Sequence, residues 1–260
     1  EALPKKTFPS KLILLSKNFG SFQAIRVGLQ HGSGDRFAVI AADLQEPPEL
    51  VLEMDQVLRE QDVDVVVGVR DGRKDPFFSR ISSQVFWGLY RRYIVPEIPE
   101  GGVDVFGCNK AFRDTLLQLD ESHSSLIAQI FWLGFRRKCI TYTRQAREHG
   151  ESAWTLDKKI NYMMDSVFAF TDLPIRLLVR IGGIGAIAAG LLGLVVLAAK
   201  ILGMIMVPGY AMTMLTITFL GALNILGLGI VGSYAWRAYE NTKSRPLAIV
   251  LKEDCFQKIH

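Results

Sequence analysis

An apolar run from Phe37 to Ala42 ends in Asp43, Leu44 and Gln45, followed by Glu46, Pro47 and Pro48. A strand ending this way projects Asp43 and Gln45 from the same edge, because alternate residues share a face. A carboxylate and an amide oxygen together suit a hard divalent cation, Mg2+ or Mn2+. Such an ion keeps its remaining positions for water and substrate phosphates. The same aspartate could instead cap the helix that the prolines introduce. Both readings stand at this point. Other chemistries lack their residues. Cys108, Cys139 and Cys255 are odd in number and far apart, so reduced thiols are expected rather than a zinc site or a disulfide framework. His31, His123 and His260 read as surface residues. A net charge of +4 is too mild to suggest nucleic-acid binding.

The elements that must position Asp43 and Gln45 alternate along the chain. Lys11–Leu15 reads as a strand, Ala24–Gln30 as a helix and Phe37–Ala42 as a second strand. Glu49–Gln61 reads as an amphipathic helix with Leu50, Met54, Val57 and Leu58 on one side, and Val63–Val69 as a third strand. This β-α-β-α-β order implies an α/β fold with a doubly wound, mostly parallel sheet. Ligands are then expected at the carboxyl ends of the strands.

Two further segments carry apolar stripes. In Phe77–Tyr93 the stripe is Phe78, Ile81, Val85, Phe86, Leu89 and Tyr93, with Arg80, Arg91 and Arg92 as cations. It reads either as an ordinary packed helix or as one lying in a membrane interface, with Trp87 and Tyr90 near the headgroups. Ile160–Phe170 has a similar stripe.

From Ile181 to Ala235 the only charged residue is Lys200. Two spans, at about 177–207 and 211–236, each exceed the roughly 20 residues needed to cross a bilayer. Gly182, Ala186 and Gly190 recur at a spacing that permits close helix approach in lipid. Arg176 and Arg180 precede the first span, Arg237, Lys243 and Arg245 follow the second, and the turn at Pro208-Gly209 carries no charge. The distribution of cations places both termini in the cytoplasm. The expected organisation is a head over 1–175, with interfacial helices near 77–93 and 156–172, a hairpin over 176–236, and a cytoplasmic tail over 237–260.

The string from Ala38 to Glu49 resembles the family 2 glycosyltransferases of GT-A fold, in the polyprenyl-phosphate branch of dolichol-phosphate mannose synthase and the bactoprenol glucosyltransferases. Three further stretches match in order: Ser16–Gly20 followed by Ala24–Gly28; Val67–Arg70 with Arg80 and Ser83; and Arg147–Ser152 before the spans. The resemblance implies that Asp43 is catalytic and, with Gln45, holds a divalent metal, Mg2+ or Mn2+, on the donor's diphosphate. It implies that Arg70, Arg80, Ser83 and Arg147 contact the phosphates of donor and acceptor, for which the planar guanidinium fork is suited.

The expected activity is transfer of a hexose from a nucleotide-sugar to an undecaprenyl-type polyprenyl phosphate, by metal-assisted inverting displacement, at the bacterial inner membrane. The alternative is a non-catalytic membrane scaffold on the same fold. Its support is Ala41, where the family has an aspartate, and the family's opening Val-x-Pro-x-Tyr strand, which has no counterpart in these residues. The resemblance therefore implies weak nucleotide-sugar binding by this stretch of chain alone. Ala153 also departs from the family's lysine. A last strand, Arg245–Leu251, is expected to pair with the head or with a neighbouring subunit, in which case it would support a homo-oligomer.

Overall fold

A computed structural model describes residues 9–43, 45–70, 88, 90–92, 94–99, 102–103, 105–145, 156–202 and 209–256. The chain divides into two compact units, residues 1–166 with 244–260, and residues 167–243. In the first unit the strands are β1 (Ser10–Leu15), β2 (Arg36–Val39), β3 (Val65–Arg70), β4 (Val105–Asn109), β5 (Arg137–Tyr142) and β6 (Val250–Phe256). The helices are α1 (Ser21–His31), α2 (Glu49–Glu60), α3 (Lys110–Leu117), α4 (Leu126–Trp132) and α5 (Leu156–Phe170), the last crossing into the second unit.

The main sheet has the order β2-β4-β3-β5. β4 runs antiparallel to both neighbours, whereas β3 and β5 are parallel. The sheet is therefore mixed, which corrects the mostly parallel sheet expected from the sequence. The physical reason is β4. The β2-α2-β3 unit is a crossover between strands that run the same way, but the later segment Val105–Asn109 inserts between them in the opposite direction. β1 also lies outside this sheet. It forms a separate antiparallel ribbon with β6, from Ser10 opposite Phe256 to Leu15 opposite Val250 with a register shift between Leu14 and Leu15, and Lys11 pairs with Glu253 at 3.1 Å. The C-terminal strand thus pairs within the chain, on the head, and begins later than its sequence suggested.

Burial explains why β3 reads as an unbroken valine run. Val65, Val66 and Val67 are fully buried, as both faces of a central strand require. One face is covered by α2, whose Leu50, Met54 and Val57 pack with Val66, Val105, Ile140 and Tyr142. Leu52 on the opposite side of that helix is exposed, so its amphipathic pattern is realised. Two glycines permit the close packing of strands and helix. A Cβ on Gly68 would meet Val105 Cγ2 at 2.4 Å, and one on Gly107 would meet Met54 Cβ at 3.2 Å.

Polar anchors lock the ends of these elements. Asp64, buried at the start of β3, accepts from Asn109 Nδ2 at 2.9 Å and from Arg136 Nε at 2.9 Å. The Arg136 guanidinium holds the Asp64 carboxyl below the usual carboxylate range. Buried Arg26 donates to the carbonyls of Leu116 at 3.2 Å and Leu117 at 3.3 Å, and also to that of Leu119. A cation is well placed there, at the C-terminal end of α3, where the helix dipole is negative.

Within the expected interfacial helix at 77–93, the apolar stripe and Trp87 lie outside the described residues. Tyr90 is described, and its burial contradicts the headgroup position. It is 1% exposed, stacks on Tyr162 and donates to Ser166 Oγ at 3.1 Å. A phenol is buried this deeply because hydroxyl partners satisfy it.

Burial also sorts the thiols. Cys108 on β4 is fully buried and its pKa is pushed up to about 12 by burial, whereas Cys139 and Cys255 are exposed. Thiolate is the reactive form. Iodoacetamide at pH 8 is therefore expected to modify Cys139 and Cys255 in the folded protein, and Cys108 only after denaturation. Mass mapping of the alkylated peptides checks this.

The second unit holds α6 (Leu173–Ile201) and α7 (Tyr210–Thr242). Windows at Leu173–Val195 and Phe219–Thr242 have mean hydropathies of 2.0 and 1.5, so both helices are long and apolar enough to cross a membrane. Arg176, Arg180 and Arg237 lie within these helices rather than beside them. Two polar side chains of α7 are satisfied along the helix: Asn224 Nδ2 donates to the Leu220 carbonyl at 3.0 Å and Ser233 Oγ to that of Gly229 at 2.9 Å. A Cβ on Gly182 or Gly190 would meet nothing within 4 Å, so among the described residues their spacing is not used for packing. Close approach occurs instead at Gly227, where a Cβ would meet Leu178 Cδ1 at 3.3 Å.

Candidate active site

β2 and β3 each run antiparallel to β4, and β5 runs with β3. The carboxyl ends of β2, β3 and β5 therefore share one edge of the sheet. The chain leaving β2 carries Asp43 and Gln45 to that edge, β3 ends there in Arg70, and Arg144 follows β5. Arg70 lies opposite Tyr142 in the ladder, two residues before Arg144.

The loop after β2 is tied to the loop after β5. The Gln45 N–H donates to Asp43 Oδ1 at 3.3 Å, which turns the carboxylate back along its own loop. The Gln145 N–H donates to the Gln45 carbonyl at 2.8 Å, and Gln45 Nε2 donates to the Gln145 carbonyl at 3.3 Å. Arg144 then donates to Gln45 Oε1 at 2.6 Å, and its Nε lies 3.6 Å from Glu46 Oε1. Glu46 is only 2% exposed, so its pairing with a guanidinium supplies the opposite charge that a buried carboxylate needs.

Asp43 is half-buried and does not cap α2. That helix starts behind Pro48 without a side-chain cap, its first turn closed by the Leu50 N–H donating to the Pro47 carbonyl at 3.0 Å. The capping alternative is thereby removed. Among the described residues no three His, Cys, Asp or Glu side chains converge. The donor set is one carboxylate and one amide oxygen. This fits a Mg2+ or Mn2+ ion that takes most of its ligands from water and phosphate.

The structure brings Asp43, Gln45 and Arg70 to one edge. Arg80, Ser83 and Arg147 lie outside the described residues. The residues that sequence reasoning missed are Arg144 and Glu46. No local pattern marks either one: Arg144 lies two residues beyond β5 and three before Arg147, and its role shows only in the contact with Gln45.

An α/β head with a polar loop edge after β2, joined to two long apolar helices, is the class of protein that the fold defines. Residues 1–119 match the domain pattern of Glycosyl transferase family 2. An uncharacterized glycosyltransferase of Synechocystis is 31% identical over 242 residues, covering 92% of this chain and 76% of the relative. The undecaprenyl-phosphate 4-deoxy-4-formamido-L-arabinose transferase of Serratia proteamaculans is 30% identical over 243 residues, covering 92% and 74%. A prophage bactoprenol glucosyl transferase homolog of Escherichia coli is 27% identical over 236 residues, covering 90% and 77%. The chain belongs to glycosyl transferase family 2.

Proposed function

We propose that the protein transfers a hexose from a nucleotide-sugar to a polyprenyl phosphate at the cytoplasmic face of a bacterial inner membrane. The observation that carries this reading is the shared edge of Asp43, Gln45 and Arg70 in a family 2 chain with two membrane-length helices. The names of two relatives, an undecaprenyl-phosphate sugar transferase and a bactoprenol glucosyl transferase homolog, support the acceptor class.

The charges suit this chemistry. A lipid phosphate is anionic at neutral pH, so its oxygen attacks the anomeric carbon without a general base. The new carbon–oxygen bond forms as the bond to the nucleoside diphosphate breaks. The electron pair leaves on the diphosphate oxygen, and the anomeric configuration inverts. No proton need move. The demanding step is the charge that grows on the leaving diphosphate. Asp43 and Gln45 are suited to hold a divalent ion, which supplies charge neutralisation there. Arg70, at the end of β3, contributes a cation that remains protonated at any working pH.

Removing that cation has a defined cost. Arg70→Ala is expected to raise KM for the nucleotide-sugar about tenfold, since a charge-assisted hydrogen bond contributes about 1.5–3 kcal/mol. Arg70→Lys should recover part of the loss. An unchanged KM in Arg70→Ala would remove Arg70 from the donor site.

The orientation is tested separately. With cysteines placed singly at Gly209 and Gly150, an impermeant maleimide added outside intact cells should label the first and spare the second, because cations cluster on the head side of both spans. The reverse pattern would contradict a cytosolic donor.

A further inference from the structure

The contact between Arg144 and Gln45 has a consequence for the metal. Gln45 is 9% exposed, and its side chain is held at both ends. Its Nε2 donates to the Gln145 carbonyl at 3.3 Å, while its Oε1 accepts from Arg144 at 2.6 Å. A flipped amide would set its NH2 against a guanidinium and its oxygen against a carbonyl, two repulsive contacts in place of two hydrogen bonds. The amide is thus fixed in one orientation. An amide oxygen has two lone pairs, and a single guanidinium hydrogen bond uses one of them.

Arg144 opposes the metal by charge and assists it by geometry. A guanidinium and a divalent cation that share one oxygen repel each other. The Glu46 carboxylate, 3.6 Å from Arg144 Nε, offsets much of that repulsion by giving the pair no net charge. Without Arg144, only the longer Nε2 hydrogen bond to the Gln145 carbonyl, at 3.3 Å, holds the amide, and Oε1 must be brought fully into place at the moment of binding. Partners that orient a metal ligand typically change affinity by about 10- to 100-fold. Geometry should therefore win over repulsion.

We propose that Arg144 is a positioning residue: by holding Gln45 in one amide orientation, it keeps Oε1 as a preformed ligand beside Asp43 for the divalent cation. This rests on the metal reading of Asp43 and Gln45 given above. Arg144 acts through Gln45 and need not touch the substrate.

The test is Mn2+ binding to the full-length protein in detergent, read by the loss of the free-ion paramagnetic resonance signal, with thermal unfolding followed in parallel. Arg144→Ala is expected to weaken Mn2+ binding about tenfold or more with little change in the unfolding midpoint. Arg144→Lys, which retains a donor and a charge, should recover part of it, and it remains informative if the alanine variant does not fold. In a Gln45→Ala background, Arg144→Ala should have no further effect. Unchanged or tighter Mn2+ binding in both Arg144 variants would overturn the proposal, as would an equal loss with and without Gln45. Asp43→Asn separates this failure from that of the metal reading. If Asp43→Asn abolishes Mn2+ binding while the Arg144 variants bind normally, only the positioning role falls. If Asp43→Asn binds Mn2+ as the native protein does, both fall together.

Discussion

Asp43→Asn is expected to lower sugar transfer by about 100- to 1,000-fold while leaving the unfolding midpoint unchanged. The magnitude follows from what the carboxylate does in the proposed reaction. Removing one preorganised group that stabilises developing charge costs about 2.7–4 kcal/mol, which corresponds to that range of rates at about 1.4 kcal/mol per tenfold. Stability should be spared for a structural reason. Asp43 is half-buried in a loop and does not cap α2. The Gln45 N–H that it accepts, at 3.3 Å, can be accepted by the amide oxygen of asparagine as well. The loss should fall on kcat, because the charge on the leaving diphosphate exists fully only as the bond breaks. Near-native turnover of a well-folded Asp43→Asn variant would remove Asp43 from the reaction.

The second large effect concerns the sheet that supports the site. Gly68 lies two residues before Arg70 on β3, and a Cβ there would overlap Val105 Cγ2 at 2.4 Å and crowd Tyr142 Cε1 at 3.2 Å. Val105 is 2% exposed and belongs to the cluster beneath α2, so its methyl group cannot simply move into solvent. Gly68→Ala is therefore expected to destabilise the head by about 1–3 kcal/mol, as overpacking of a filled core does. The unfolding midpoint should fall by roughly 5 °C. Val105→Ala introduced together with Gly68→Ala should restore part of that loss, because the two changes share one space. Strict additivity of the two substitutions would show that the clash is absorbed elsewhere.

Parts of this arrangement were legible in the sequence for identifiable reasons. The amphipathic spacing of Leu50, Met54 and Val57 and the buried run Val65–Val67 report local periodicity, and both elements are found where those patterns place them. The apolar stretches of α6 and α7 are equally plain, since length and hydropathy need no tertiary information. What stayed hidden depends on contacts between distant segments. β4 reverses the sheet direction because Val105–Asn109 enters between β2 and β3, and no local pattern states a strand's neighbours. Tyr90 belongs to a segment with an interfacial pattern, yet its hydroxyl partners Ser125, Tyr162 and Ser166 come from far along the chain.

At the site, the sequence pattern singled out Asp43 and Gln45 because a carboxylate and an amide at alternate positions after a strand form a local signature. Arg144 escaped because its significance lies in a contact across 99 residues. Its neighbour Arg147 drew attention through a family loop, whereas Arg144 lies two residues beyond β5 and only the fold brings it to Gln45.

The most direct test of the account follows the sugar itself. Membranes carrying the full-length gene product are incubated with Mg2+, undecaprenyl phosphate and each of several radiolabelled nucleotide-sugars, and the lipids are then extracted. One nucleotide-sugar is expected to transfer label to the lipid fraction, as a glycosyl phosphate released by mild acid. Formation of this product should stop with a chelator and resume with Mg2+ or Mn2+. Label remaining in water-soluble sugar for every donor, under conditions where an active polyprenyl-phosphate transferase in the same membranes forms its product, would contradict the proposed transfer.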